Sequence, residues 1–271
     1  MDYQTYQPHP DLASLISCYW SLEVPSSDNP QKQRIIPDGK IEMVFIFGDD
    51  IKRYTTDNNF ILQPRAFVLG QILEPFFVEP TGYVNSFSIS FYPFGFANFM
   101  EEPIKTLANK ETPIEKLFGK DVAKKLELEM VRAKDTQARI TIAEKFLLNR
   151  LSQAATVDSI VKSTVQVLLA TKGNTSISNI LKDDLSKRRQ LERKFSKQIG
   201  ISPKQLSKVI RLQSALKMLL SEEGDNLTTI AYKSEYYDQA HFIKDFKEFT
   251  GISPKEFLGH ENMELSSALY K

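Results

Sequence analysis

The sequence predicts an α+β protein. Its N-terminal part reads as a small antiparallel β barrel or sandwich with trailing helices. Its C-terminal part reads as an all-α domain in which a long connector helix joins two helix-turn-helix units. Three observations carry this. Eleven of the eighteen Phe lie in residues 1–105, among β-branched residues and turn formers. From about Ile104 the apolar residues fall at three- and four-residue spacing, the period of an amphipathic helix. A ten-residue segment then recurs 51 residues further on, the mark of a duplicated unit. A chain of 271 residues has room for more than one core. The expected boundaries are a β-rich domain at 1–105, a helical connector region at 106–155, the double helix-turn-helix at 156–258 and a loosely ordered tail at 259–271.

In the β-rich part, Ile16–Trp20 around the single Cys18 reads as a buried strand. Ile41–Phe47 (IEMVFIF) is a second, ended by Gly48-Asp49-Asp50. Phe67–Gly70 and Phe76–Val78 are shorter candidates split by Glu74-Pro75, and Ser86–Phe91 (SFSISF) alternates with the period of two of a half-buried strand. Pro-Asp-Gly at 37–39 and Pro-Thr-Gly at 80–82 supply turns. Helices follow at Pro113–Leu117, with Thr112 as N-cap, then at Val122–Ala133, Arg139–Leu151 and Thr156–Ala170, the last ended by Gly173-Asn174.

The repeat sets Phe195-Ser-Lys-Gln-Ile-Gly200-Ile-Ser-Pro203-Lys204 against Phe246-Lys-Glu-Phe-Thr-Gly251-Ile-Ser-Pro254-Lys255. Leu191 and Phe242 precede them by four residues, which puts an apolar pair on one helix face. Gly then stops each helix, and Ser-Pro restarts the chain as N-cap and first helical residue. A shorter helix precedes each copy, at Ile177–Asp183 and Leu227–Ser234, and Ser202–Leu220 joins the copies.

Composition alone is unremarkable, with 41% hydrophobic and 25% charged residues and a net charge of +1, which excludes a polybasic protein. The distribution differs: residues 180–219 carry 11 basic and 3 acidic side chains, a field to which a polyanion would respond. One cysteine, no leader-like start and no long apolar run fit a cytoplasmic protein. An enzymatic role fails on inventory. His9, His241 and His260 are scattered, and no nucleophile elbow, phosphate-cradling loop or metal pair occurs, so no cofactor or metal is expected.

Residues 156–258 resemble the DNA-binding domain of AraC/XylS-type transcription regulators. The run that carries this is Ile230-Ala231, Tyr236-Tyr237-Asp238-Gln239-Ala240-His241-Phe242, Phe246-Lys247 and Thr250-Gly251-Ile252-Ser253-Pro254, with Arg189-Gln190-Leu191-Glu192-Arg193-Lys194-Phe195 as the matching element of the first copy. The N-terminal part resembles the β-rich sensor-like domain of one AraC subgroup, through Pro37-Asp38-Gly39, Gly70 and Phe91-Tyr92-Pro93-Phe94-Gly95. The resemblance implies double-stranded DNA as partner, a small-molecule effector for the N-terminal domain, a homodimer, and RNA polymerase as a further contact, with no membrane. The family usually has Gly in each helix-turn-helix turn, whereas this chain has Glu235 in one and Asp183-Asp184-Leu185-Ser186 in the other. Slightly remodelled turns are therefore expected. The competing reading is a β-domain scaffold whose degenerate helix-turn-helix units bind protein rather than DNA.

With Leu191 and Phe195 facing inward, Arg188, Arg189, Glu192 and Arg193 face outward, and the first helix would read bases with them. Arg matches guanine O6 and N7, and Glu accepts from cytosine N4. In the second helix, Gln239, Ala240 and Lys244 are the base-facing candidates by family position. Lys187, Lys194, Lys197, Ser202, His241 and Ser253 are the expected phosphate contacts. Aromatic residues of the N-terminal part (Tyr19, Trp20, Phe45, Phe47, Phe91 and Phe94) could line an apolar pocket, although strand aromatics are core far more often, and Arg34, Asp38 and Arg65 read as surface residues near turns.

Overall fold

The structure is a computed structural model and describes residues 1–151, 157–181, 184–220 and 226–259. Ten strands come first: β1 (Asp2–Tyr6), β2 (Ile16–Val24), β3 (Gln33–Ile35), β4 (Ile41–Ile46), β5 (Ile51–Tyr54), β6 (Phe60–Leu62), β7 (Ala66–Leu69), β8 (Phe76–Pro80), β9 (Val84–Phe91) and β10 (Glu111–Pro113). They form a six-stranded sheet, β1-β2-β9-β4-β7-β10, and a four-stranded sheet, β3-β8-β5-β6, with antiparallel pairing throughout.

Register explains what each face of the large sheet does. Trp20 on β2 and Val44 on β4 both pair with Ser88 on β9, so these residues share a face. That face looks into a cavity between the two sheets. The opposite face carries Tyr19, Met43, Phe45, Phe87, Ile89 and Phe91, all essentially without exposure, in the core shared with the helices. The alternation of SFSISF therefore does not separate core from solvent. Ser88 and Ser90 are 0% exposed, because the second face of this strand also looks into the protein.

Among the described residues ten α-helices follow: α1 (Ile114–Phe118), α2 (Lys120–Arg132), α3 (Thr136–Leu151), α4 (Ser159–Ala170), α5 (Ile177–Ile180), α6 (Leu185–Ile199), α7 (Pro203–Leu220), α8 (Leu227–Lys233), α9 (Gln239–Thr250) and α10 (Pro254–Gly259). Pro113 ends β10 and stands before α1 rather than opening it, and Thr112 pairs with Val68 in the sheet instead of capping the helix. The expected helix start at Thr156, the helix end at Asp183, His260 and the tail beyond Gly259 lie outside the described residues.

The two repeat copies fold alike. Leu191 and Phe195 in α6, and Phe242 and Phe246 in α9, are all 0% exposed. Gly200 and Gly251 close these helices in the left-handed region at φ +95° and +77°, where a side chain would be strained. Ser202 and Ser253 form reciprocal capping boxes with Gln205 and Glu256.

The two halves of the chain share their cores. One buried cluster runs from Leu12 through Phe91 and Val161 to Phe195 and Leu206. Another joins Ile36, just past β3, to the second helix-turn-helix. Polar contacts reinforce the junction. Gln213 on α7 donates from Nε2 to the Pro37 carbonyl at 2.6 Å. Arg34 on β3 donates to the Thr250 carbonyl at 2.6 Å. This places a cation at the C-terminal end of α9, where the helix dipole favours it. Arg34 is thus a strap between the halves rather than a surface residue.

Candidate nucleic-acid interface and sensor cavity

α6 begins at Asp184, whose carboxylate accepts from the Ser186 N–H at 3.1 Å and lies 2.9 Å from the Lys187 ammonium. Hydrogen bonds from Ser186, then the pairing with Lys187, hold the Asp184 carboxyl down at about 2, so the cap is ionised across the physiological range. Beyond this cap Arg188, Arg189, Glu192 and Arg193 are all exposed on one flank, opposite the buried Leu191 and Phe195. Arg188 and Glu192 pair with each other at 3.3 Å, one helical turn apart. Arg189 and Arg193 make no ion pair among the described residues. Lys197 is exposed in the last turn, whereas Lys194 is drawn to Asp158, ahead of α4, at 2.5 Å. Lys194, an expected phosphate contact, is thus engaged by a carboxylate of its own chain.

α9 is arranged in parallel fashion. Asp238 caps it by accepting from the His241 N–H at 2.7 Å. Ala240 and Lys244 are exposed, and Gln239 accepts from Thr228 Oγ1 on α8 at 2.9 Å. His241 stands edge-on to Tyr236 and 3.7 Å from Asp245, so its ring is turned along its own helix. The hydroxyls and the backbone N–H groups of Ser202 and Ser253 are both engaged in the helix caps. Lys208 on α7 ties the units together, reaching Asp245 at 3.2 Å and Glu248 at 3.0 Å. Burial works against its charge, but the two carboxylates prevail and raise its pKa.

The turn of the second unit keeps its geometry. Glu235 takes φ +54°, the left-handed conformation that the family fills with Gly, so this turn is strained rather than remodelled as the sequence reading had it. The strain costs about 1–2 kcal/mol. Neighbouring contacts hold it: Glu235 N–H donates to the Tyr232 carbonyl and Tyr236 N–H to that of Ala231, both at 2.9 Å, with Tyr236 buried behind them.

The cavity between the sheets measures about 620 Å³ and is walled mainly by aliphatic and aromatic side chains. Of the aromatics weighed from sequence, Trp20 lines it. Tyr19, Phe45, Phe91 and Phe94 are core, and Phe47 lies under the Arg139 guanidinium at 3.9 Å. Charge gathers at one place. Glu42 accepts from Ser88 Oγ at 2.6 Å, Ser90 Oγ at 2.6 Å and Trp20 Nε1 at 3.1 Å, and Asp38 and Lys40 line the same wall. Asp38 is therefore a cavity residue, not a surface one. Lys40 and Glu42 were missed in the sequence. A glutamate inside IEMVFIF, opposite a strand of alternating serines, was the available signal.

A β-walled cavity region thus packs on two helix-turn-helix units with basic exposed flanks. Residues 186–260 match the family model of a helix-turn-helix domain, and residues 4–113 match that of a domain of unknown function, DUF6597. An uncharacterized HTH-type transcriptional regulator of Haemophilus influenzae is 36% identical over 63 residues, which are 23% of this chain and 21% of that protein. The chain thus spans about a fifth of that relative's length. The fold is similar to ToxT from Vibrio cholerae (TM-score 0.50, 14% identity, 96% of this chain and 98% of that one). It is equally similar to ToxT of strain O395 bound to (E)-4-(8-methylnaphthalen-1-yl)but-3-enoic acid (TM-score 0.50, 14% identity, 96% and 99% of the two chains). The chain thus carries a helix-turn-helix domain at 186–260 behind a DUF6597 domain at 4–113.

Proposed function

We propose that the chain is a sequence-specific regulator that reads double-stranded DNA through α6 and α9 and answers to a small molecule held in the β-walled cavity. The observation that carries the reading is the exposed Arg189 and Arg193 on a capped helix whose other face is fully buried. Arg donates in a fixed fork that fits guanine in the major groove. Arg188 and Glu192 act as a mutually ordered pair beside them. On α9, Ala240 and Lys244 face the bases, with Gln239 held in place by Thr228. Lys187, Lys197 and the helix N-termini after Ser202 and Ser253 take phosphates, which position without specifying. A homodimer and a contact with RNA polymerase complete the reading.

The protein-binding alternative drew its support from Glu235 and the acidic Asp183-Asp184 turn; the left-handed geometry kept at Glu235 weighs against it, and Asp183 lies outside the described residues. Selection of bound duplexes from a random pool by the full chain tests the proposal. A discrete enriched motif is expected, and a selected pool no different from the input would overturn it.

A further inference from the structure

The cavity wall carries a feature that an apolar binding site does not need. Asp38, Lys40 and Glu42 alternate over five consecutive turn and strand residues and all line the cavity. Glu42 is held by three donors from three positions on two neighbouring strands, so its carboxylate cannot swing away. Asp38 accepts from the Lys40 N–H at 3.0 Å, which fixes the turn. Lys40 Nζ makes no hydrogen bond or ion pair among the described residues, although Asp38 and then Glu42 dominate its electrostatic surroundings once its burial is set aside.

Two carboxylates against one ammonium leave a formal charge of −1 in a space walled by residues such as Leu22, Val44, Phe67, Ile72 and Val78. Burying uncompensated charge is costly, and the cost is recovered when a partner of opposite sign or a strong donor arrives. Burial and, for Glu42, then the charge of Asp38 hold both carboxyls above their usual range, against the lowering pull of Lys40. Of the other groups that meet this cluster, Tyr3 and Cys18 are pushed up by burial and add no charge at pH 7, Tyr92 also faces Lys40, and the N-terminal Met1 lines the cavity.

We infer that the cavity takes an amphiphile with an apolar body and a cationic or hydrogen-bond-donating head, the head seated against Asp38 and Glu42. This rests on the cavity being the effector site. A carboxylate head is disfavoured, since Lys40 already answers to two acids and a third would face both. Occupancy of the head site also touches the DNA-binding half. The Pro37-Asp38-Gly39-Lys40 turn receives Gln213 of α7 on the Pro37 carbonyl, and a Cβ on Gly39 would lie 3.2 Å from Leu206 Cδ1.

Trp20 is the only tryptophan of the chain, lines the cavity and donates to Glu42, so its emission reports on this site alone. Three probes with one tail, octylammonium, octanol and octanoate, are titrated into the full chain while Trp20 fluorescence is followed. Saturable binding of octylammonium at least ~10-fold tighter than octanoate is expected, equivalent to about 1.4 kcal/mol. The preference should collapse in Glu42→Gln and in Asp38→Asn, which keeps an oxygen for the Lys40 N–H. Octanoate binding as well as octylammonium, or a preference unchanged in both variants, would overturn the head-group inference while leaving the effector site standing. No saturable response to any of the three would overturn both.

Discussion

Replacing Arg189 or Arg193 by Ala is expected to cost about 1–3 kcal/mol each on the selected site, and to relax preference at the base each one reads. The expectation rests on their freedom: both are exposed, and neither forms an ion pair among the described residues. Arg188 shares its charge with Glu192, so Arg188→Ala should cost less. Lys197→Ala should weaken binding to all sequences alike and lower the salt slope by about 1, because a phosphate contact carries no sequence information. Competition binding against single-base variants of the site separates these patterns. A footprint unchanged by both Arg substitutions would remove α6 from the recognition surface.

Phe246→Ala should be the most destabilising change in the helical half, by about 3–5 kcal/mol in urea denaturation. The ring is 0% exposed and stands edge-on to Phe242 at 5.6 Å and to Phe257 at 5.5 Å. Truncation therefore removes two aromatic contacts and leaves a cavity that neither partner can fill. Tyr237→Ala, at 88% exposure on the same unit, should stay within about 0.5 kcal/mol of the parent. Similar costs for the two substitutions would mean that the second unit is not packed as described.

The repeat was readable because helix packing imposes a strict pattern. Leu191 with Phe195, and Phe242 with Phe246, each lie one turn apart, and a Gly stop then a Ser-Pro restart follow in both copies. Those signals are local, and local signals survive in a sequence. The cavity was not readable for a matching reason. Alternation in SFSISF reports two different faces but not what each face meets, so serines that hold Glu42 look like serines that meet water. Arg34 and Asp38 were set on the surface because turns usually are, whereas the C-terminal half covers Arg34 and the cavity claims Asp38. Lys194 shows the same limit. Its position on α6 fits a phosphate contact, and only tertiary packing brings Asp158 within reach.

Glu235 is informative in the opposite sense. A residue poorly suited to φ +54° sits where the family has Gly, and the conformation is kept rather than avoided. Hydrogen bonds from two successive N–H groups and the buried Tyr236 outweigh a local preference of about 1–2 kcal/mol. The geometry of a helix-turn-helix is thus set by packing of its two helices as much as by the residue in the turn.

Recognition of DNA by the exposed flanks of α6 and α9 is tested most directly by the salt dependence of equilibrium binding of the full chain to a duplex. Each phosphate neutralised contributes about −0.9 to the slope of log K against log salt, so Lys187, Lys197 and the basic neighbours on these helices predict a slope of about −3 or steeper. Affinity that is flat between about 50 and 200 mM salt would contradict an interface built on these side chains.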